Sequence, residues 1–299
     1  MIPHLSQLID RAKNNPKTVA IAAAEDSIVL AAAKEAAEHG IASFILFGQK
    51  KKIEQINNEL GFSEGFTIVD CSTKLESIEK AVKAVSLKDA EILMKGNVKT
   101  GELLGIYLKD EFGLKTGRTM NLVTVFEIKR YHKLLLVTDA GMVIAPDLNQ
   151  KADSIINSVS VARALENKRP KVAVLAAIET VNPKMPATIE AAILSQMARR
   201  GQLGSVDVDG PFALDNAISR EAAEHKGISS SVAGDADILI MPDIEAGNIF
   251  YKAMAFLSEC QLASTIVGGK APIILTSRAD SAETKLYSIA LNVLLAGVI

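Results

Sequence analysis

The chain has 299 residues, 48% of them hydrophobic, and a formal net charge of −2 from 33 Lys and Arg against 35 Asp and Glu. That length suits one large or two ordinary domains with a substantial core. The lack of a basic excess argues against a predominantly electrostatic nucleic-acid binder, and no apolar run approaches the roughly 20 residues that cross a bilayer.

The N-terminal stretch MIPHLSQLIDRAKNN meets charge early and has no long apolar core, so it does not read as a signal peptide. TVAIAAA (18–24) then reads as a buried strand. SIVLAAAKEAAEHG follows as a helix, with Ser27 as N-cap and Gly40 as stop. Next come the strand ASFILFG, a Lys-rich helix and the short strand FTIVD. Helix 73–85, strand AEILM, helix 98–111 and an apolar strand near 122–126 complete the first half. The second half opens on KLLLVTD (133–139). It continues with helix 150–167, strand KVAVLAAI, helix 187–200, strand SVDVD, helix 213–225, strand DILIMPD, helix 247–258, strand APIILTS and helix 281–296. This alternation predicts an α/β protein with mostly parallel sheets covered by helices. The absence of Trp and an aromatic content of 4% leave Ala, Val, Ile and Leu to pack such sheets. The alternation is too long for one comfortable open sheet. Charged residues at 127–132 separate two lobes, and a cleft between facing lobes is the default site.

Cys71 and Cys260 have no CxxC spacing, and the four histidines form no metal-ligand pattern, so neither a disulfide framework nor a metal centre is expected. Lys50-Lys51-Lys52 reads as a solvated helix start. The expected location is cytoplasmic, with no nucleic-acid or membrane partner.

Ligands of open α/β sheets bind beyond the carboxyl ends of strands, where glycines and helix N-termini favour anions. Five junctions qualify. ILMKGNVKTGEL brings Lys95, Gly96, Lys99 and Thr100 to the start of a helix; phosphate binding and an ordinary turn with solvated lysines are both open readings, since GxxxxGK[ST] is absent. In VTDAGMVIAPD, Asp139 either positions a ligand or holds a turn. DVDGPFALDNAIS offers Asp215 and Asn216 as functional groups or as early helix positions. DILIMPDIEAGNIFYK offers Asp243, Gly247 and Asn248, the last also a potential cap. In APIILTSRADSAETK, the Arg278 guanidinium beside Ser277 could grip phosphate with two parallel hydrogen bonds, while Asp280 or Ser281 caps the helix.

These segments, in this order, resemble the phosphate butyryltransferase branch of the phosphate acetyl/butyryltransferase family. The blocks are KGNVKT, TDAGM, DGPFALDNAIS, HKGISSSVAGDADILIMPDIEAGNIFYKAM and GGKAPIILTSRADS, and together they cover essentially the whole chain. The resemblance implies a fold like that of isocitrate and isopropylmalate dehydrogenases, with two α/β domains flanking a cleft. The last helix returns to the first domain, giving 1–128 plus 279–299 and 129–278. It further implies a homodimer or higher homo-oligomer, with coenzyme A and phosphate as substrates and no tightly bound cofactor or metal. The reaction would be reversible exchange of CoA for phosphate on a short-chain acyl-CoA, butyryl or branched-chain, without a covalent enzyme intermediate. Ser277-Arg278 matches a catalytic Ser-Arg pair of the acetyl branch. That branch's aspartate seven residues after the serine is Thr284 here, which leaves Glu283, Asp280 and Asp243 as acid/base candidates. Arg278 would orient phosphate and offset charge repulsion, with Ser277 donating a hydrogen bond. Lys95, Lys99, Gly247 and Asn248 would hold phosphate groups. Two other readings stand beside this one: a β-decarboxylating dehydrogenase, for which no arginine set is present, and a non-catalytic module binding acyl-CoA or acyl phosphate.

Overall fold

The computed structural model describes residues 2–275 and 281–299. The chain divides into two units: Leu5–Gly117 with Ala263–Ile299, the first unit, and Met1–His4 with Arg118–Leu262, the second.

The first unit begins with α1 (Gln7–Ala12), then β1 (Lys17–Ala22), α2 (Ser27–Glu38), β2 (Ala42–Gly48), α3 (Lys50–Leu60), β3 (Phe66–Asp70), α4 (Lys74–Ser86), β4 (Ile92–Lys95) and α5 (Thr100–Tyr107). Val19, Ala20, Ile21 and Ala22 of β1 have no exposed surface, as a strand covered on both faces requires. α2 is capped by Asp26, which accepts from the amides of Ile28 and Val29. The expected cap, Ser27, is instead the first helical residue, because the carboxylate one position earlier reaches two orphan amides at once. Gly40 ends the helix in a left-handed conformation (φ 70°), with Ile41 N–H returning to Ala36 O. α5 stops at Tyr107, short of the expected 111, and a 3-10 turn (Asp110–Phe112) follows.

The second unit holds β5 (Asn121–Ile128), β6 (Leu135–Thr138), α6 (Leu148–Ala164), β7 (Lys171–Leu175), α7 (Pro186–Arg199), β8 (Asp207–Phe212), α8 (Leu214–Ile218), α9 (Arg220–His225), β9 (Ile238–Ile240) and α10 (Ile244–Leu257). The single helix expected over 213–225 is two helices. Ser219 adopts an extended conformation and its hydroxyl caps α9 at the amide of Ala222. α10 starts three residues before the expected Gly247, because Asp243 caps it at the amide of Ala246, 2.8 Å away. The chain then passes through β10 (Cys260–Val267) back to the first unit, which is completed by β11 (Ile273–Ile274) and α11 (Ala282–Leu295). α1 and β10 have no counterpart in the sequence-based element order.

Within the first unit the strand order is β3-β2-β1-β4-β11-β10. Its β1–β2, β2–β3, β1–β4 and β4–β11 pairs are parallel, and β10–β11 is antiparallel. In the second unit the order is β5-β6-β9-β7-β8, parallel except for β5–β6. The α/β class with mostly parallel strands therefore holds. The unit borders fall at 117/118 and 262/263, whereas the sequence-based division sets them at 128/129 and 278/279. The physical reason is pairing: Ile273 and Ile274 lie beside Leu93 and Met94 of β4, so β11 belongs with the first unit.

Candidate active site

In the first unit the chain runs outward from β1 to β3, then returns to place β4 on the other side of β1. The exits of β1 and β4 therefore flank a topological switch point, where open α/β sheets take their ligands. Lys95 is the last residue of β4. Its ammonium donates to the carbonyls of Gly96 (3.2 Å) and Val98 (3.1 Å), so the lysine folds into its own loop. A Cβ on Gly96 would lie 2.2 Å from the carbonyl oxygen of Ala23, so no other residue passes here unshifted. The Gly96 amide itself donates to Ala22 O at 2.9 Å. The glycine thus supplies close passage past β1, and its amide extends the β1–β4 pairing instead of pointing at an anion. Lys99 is the exposed N-cap of α5; Glu102 reaches back to its amide, and Thr100 is the first helical residue.

Three residues at the neighbouring strand exits have no place among the sequence-based candidates. Lys74, at the start of α4, donates to Asn97 O at 2.7 Å and adds a second ammonium. Ser77 accepts from the amide of Ala23, a non-glycine held at φ 52°, and donates to Phe47 O. Glu25 accepts from Gln49 N–H at 2.7 Å. The signal for Lys74 is its position just after a strand-to-helix junction, one that carries no glycine.

β11, parallel to β4, leads toward the last junction. Ser277 and Arg278, the sequence-based catalytic pair, and Asp280 lie outside the described residues. On the far side of that segment Ser281 caps α11 by accepting from Thr284 N–H. Its hydroxyl also donates to Thr284 Oγ1 at 3.0 Å, so Thr284 belongs to the cap. Glu283 is exposed in the first turn and accepts from the hydroxyl of Tyr287 at 2.8 Å. Lys285, one residue beyond the cap, is 1% exposed, whereas a lysine in a helix start reads from sequence as solvated.

In the second unit, Asp139 follows β6. It is buried, and its two oxygens accept from four amides: Gly141 and Met142 on one, Leu122 and Val143 on the other. Burial pushes its carboxyl up, against the opposing pull of the amides of Gly141, Leu122, Met142 and Val143. Of the two sequence-based readings, the turn-holding one describes these bonds. Gly247 packs on the same turn; a Cβ there would meet Asp139 O at 2.0 Å. Its amide is bonded inside α10 to Asp243 O, so it does not offer the helix-start amide expected from sequence. Nor does Asn248 cap α10: its side-chain amide donates to Ala140 O at 3.0 Å. Asp139, Gly247 and Asn248 are thus brought together, and Asp243 caps the helix that carries the last two.

Asp215 and Asn216 lie in α8. Asn216 is fully buried, and its amide faces Glu179 at 3.4 Å while its oxygen has no hydrogen-bond partner among the described residues. Lys226 donates to Glu179 and lies 3.6 Å from Asp215. The hydrogen bond from Lys226 holds the Glu179 carboxyl below its ordinary value, and the same bond raises Lys226. Among the described residues no group of three or more His, Cys, Asp or Glu could hold a metal ion, and no helix is long and apolar enough to cross a membrane.

The sequence matches the family described as phosphate acetyl/butaryl transferase over residues 4–79 and 63–293. The chain belongs to the phosphate acetyl/butyryltransferase family. This phosphate acyltransferase is 51% identical over 293 residues to a phosphate acetyltransferase of Thermotoga maritima, covering 98% of this chain and 99% of that one. It is 45% identical over 299 residues to a phosphate butyryltransferase of Clostridium acetobutylicum, covering 99% of each. Among solved structures, a branched-chain phosphotransacylase from Enterococcus faecalis superposes with a TM-score of 0.83 at 34% identity, covering 94% of this chain and 99% of that one. The chain is therefore an enzyme, a transferase that moves acyl groups to phosphate.

Proposed function

We propose that the enzyme exchanges CoA for inorganic phosphate on a short-chain acyl-CoA, butyryl or branched-chain, giving the acyl phosphate reversibly and without a covalent enzyme intermediate. The observation that carries this reading is the strand exit of β4. Lys95 stands there at the switch point, beside β11, whose sequence runs on into Ser277-Arg278.

Phosphate attacks the thioester carbonyl, and negative charge grows on its oxygen. Both reactants are already anionic, so fixed cations are needed where they meet. Arg278 is read as orienting phosphate and offsetting the repulsion, and Ser277 as donating a hydrogen bond to phosphate or the forming oxyanion. Lys95, Lys99 and Thr100 are read as holding phosphate groups, with Gly96 allowing the loop to pass against β1. In the reverse direction the CoA thiol, with a pKa near ~8.5 by analogy with cysteine, loses a proton. Glu283 is the first choice to accept it, because its carboxylate is exposed in the first turn of α11. Asp243, engaged in capping α10, is the second. Asp139, Asp215, Asn216, Gly247 and Asn248 are read as shaping substrate contacts through the turns they hold. A homo-oligomer and a cytoplasmic location complete the reading.

The test is thiol release from a panel of acetyl-, propionyl-, butyryl- and isobutyryl-CoA, with and without phosphate. Phosphate-dependent release, fastest for the four-carbon groups, is expected. If every short thioester stays intact with excess orthophosphate present, the reading fails; tight acyl-CoA binding without release would favour a binding module.

A further inference from the structure

At the opposite end of β4 and β11 from Lys95, the first unit has a cavity of about 410 Å³. It is framed by the end of α4, the turn after the 3-10 helix, the residues leading into β11 and the end of α11. Its apolar wall includes Val85, Leu114 and Pro272, all buried, with Phe112 partly so. The wall is tied together: Ser86 donates to Phe112 O at 2.6 Å, and Lys270 N–H to Leu114 O at 2.9 Å.

Lys88 and Lys270, both exposed, are among the residues lining the same cavity, and neither has an ion-pair partner among the described residues. The one acidic side chain in the lining, Glu91, is engaged elsewhere, accepting from Thr18 N–H at 2.9 Å and lying 3.9 Å from Lys17. Lys88 is held at φ 66°, in the left-handed position that follows α4. Glycine is the favoured residue there and a lysine is strained. Glu166 holds the same conformation one residue past the C-cap of α6, so the strain does not by itself select a cation.

From this juxtaposition we infer that the cavity binds a small monocarboxylate with a short apolar tail. Two ammoniums without counter-ions select an anion, and lysines act as point charges, without the fork of an arginine. A bare inorganic anion would leave the apolar wall facing a hydrated charge, whereas a carboxylate with an alkyl tail satisfies both surfaces. The volume falls in the lower part of the range for small-molecule sites, about 300–1,000 Å³. The ligand class is that of the free acid of the acyl group proposed above, so the choice of chain length rests on that reading. The site itself is separate: β4 spans Ile92–Lys95, and at ~3.3 Å per residue its two ends are about 10 Å apart.

The chain contains no Trp, so Phe112→Trp places a single indole in the cavity wall. Its fluorescence is titrated with butyrate, hexanoate, butyramide and inorganic phosphate. A saturable change with the carboxylates is expected, absent with butyramide, and weaker by about tenfold or more when Lys88→Gly and Lys270→Ala are added, as for loss of charged hydrogen bonds. Lys88→Gly suits the left-handed backbone, so loss of binding with an unchanged or raised melting temperature is not loss of fold. The inference is overturned if the signal does not respond to carboxylate, if it persists undiminished without the two lysines, or if phosphate or butyramide binds as well as butyrate. Because the readout is fluorescence in the cavity and not turnover, its failure leaves the proposed acyl transfer untouched. Failure of acyl transfer equally leaves the cavity's affinity measurable.

Discussion

Asp235 and Asp139 show how placement decides what a carboxylate does. Asp235 is half-buried after α9 and accepts from Lys171 at 2.5 Å and from Lys133 and His132 at 2.9 Å. Desolvation opposes its charge, but the hydrogen bonds from Lys171, Lys133 and His132 together outweigh it, and its carboxyl lies well below the usual range. A depressed acid contributes stability above its unfolded value, near ~3.9, and that contribution is lost as pH falls through the folded value. Asp235→Asn is therefore expected to lower stability at neutral pH by about 1–3 kcal/mol, as for loss of hydrogen bonds to a charged group. Denaturant unfolding below pH 4 should find the gap to wild type shrinking. A gap that stays constant with pH would show that the charge is not what matters. Asp139 has the opposite linkage. Its carboxyl is raised chiefly by burial, so its own contribution is present at low pH and lost as pH rises through the folded value. Arg278 carries the proposed chemistry. Arg278→Ala should remove on the order of 2–4 kcal/mol of transition-state stabilisation, comparable to deletion of an oxyanion donor. Steady-state kinetics decides it, and near-wild-type kcat/KM in a folded variant removes this residue from the mechanism.

At the scale of elements, glycines set how closely strand exits and helices approach. The first turn of α10 lies against the turn after β6, where the hypothetical Cβ of Gly247 comes within 2.0 Å of Asp139 O. That oxygen is backbone and cannot rotate away, so Gly247→Ala must push α10 off the turn. The expected cost is about 1–3 kcal/mol, the usual range for overpacking, together with loss of the 3.0 Å bond from Asn248 to Ala140 O. Thermal unfolding and exchange of the Asn248 side-chain amide read both effects; an unchanged melting temperature would show that the turn yields without cost. Asp139→Asn perturbs the same turn from the other side, since an amide nitrogen would face two of the four N–H donors that now bind carboxylate oxygen. What was legible here followed from chemistry local to the chain. The apolar runs announced most strands, and Asp139 in TDAGM announced a turn. What was not legible depended on neighbours distant in sequence. β10 was missed because CQLASTIV is rich in small and polar residues; Ser264 and Thr265 are tied to Ser288 and Asn292 of α11, bonds invisible without the fold. The amides of Gly96 and Gly247 are taken up by β1 and by the start of α10 itself, pairings that no local sequence pattern announces.

For the molecule as a whole, the order of the chain and the order of the fold diverge at its end. The last 37 residues, Ala263–Ile299, belong to the unit of Leu5–Gly117, and α11 packs there against α1 and α2. Leu286, Tyr287, Ile289, Leu291, Val293 and Leu295 of α11 are all buried. At roughly 1.5–3 kcal/mol for each large apolar side chain, their summed contribution matches or exceeds the ~5–15 kcal/mol that stabilises an ordinary domain. α11 also satisfies β10: Asn292 accepts from Thr265 and donates to Ser264 O. Truncation after Leu275 is therefore expected to unfold the first unit entirely, although Leu5–Gly117 and Ala263–Leu275, 126 of its residues, remain in the chain. The second unit keeps its own core around Phe126, Leu135, Val137, Phe212 and Leu239, none of it supplied by the deleted segment. Hydrogen exchange followed by mass spectrometry separates the two. Amides of β1 and β2 should exchange at the rate of an unfolded chain, while those of β6, β7 and β9 stay protected. Protection retained in β1 would show that α1, α2 and the remaining strands make a sufficient core without α11. Loss of protection in both units would show that the core of the second depends on the first, whatever its own side chains contribute.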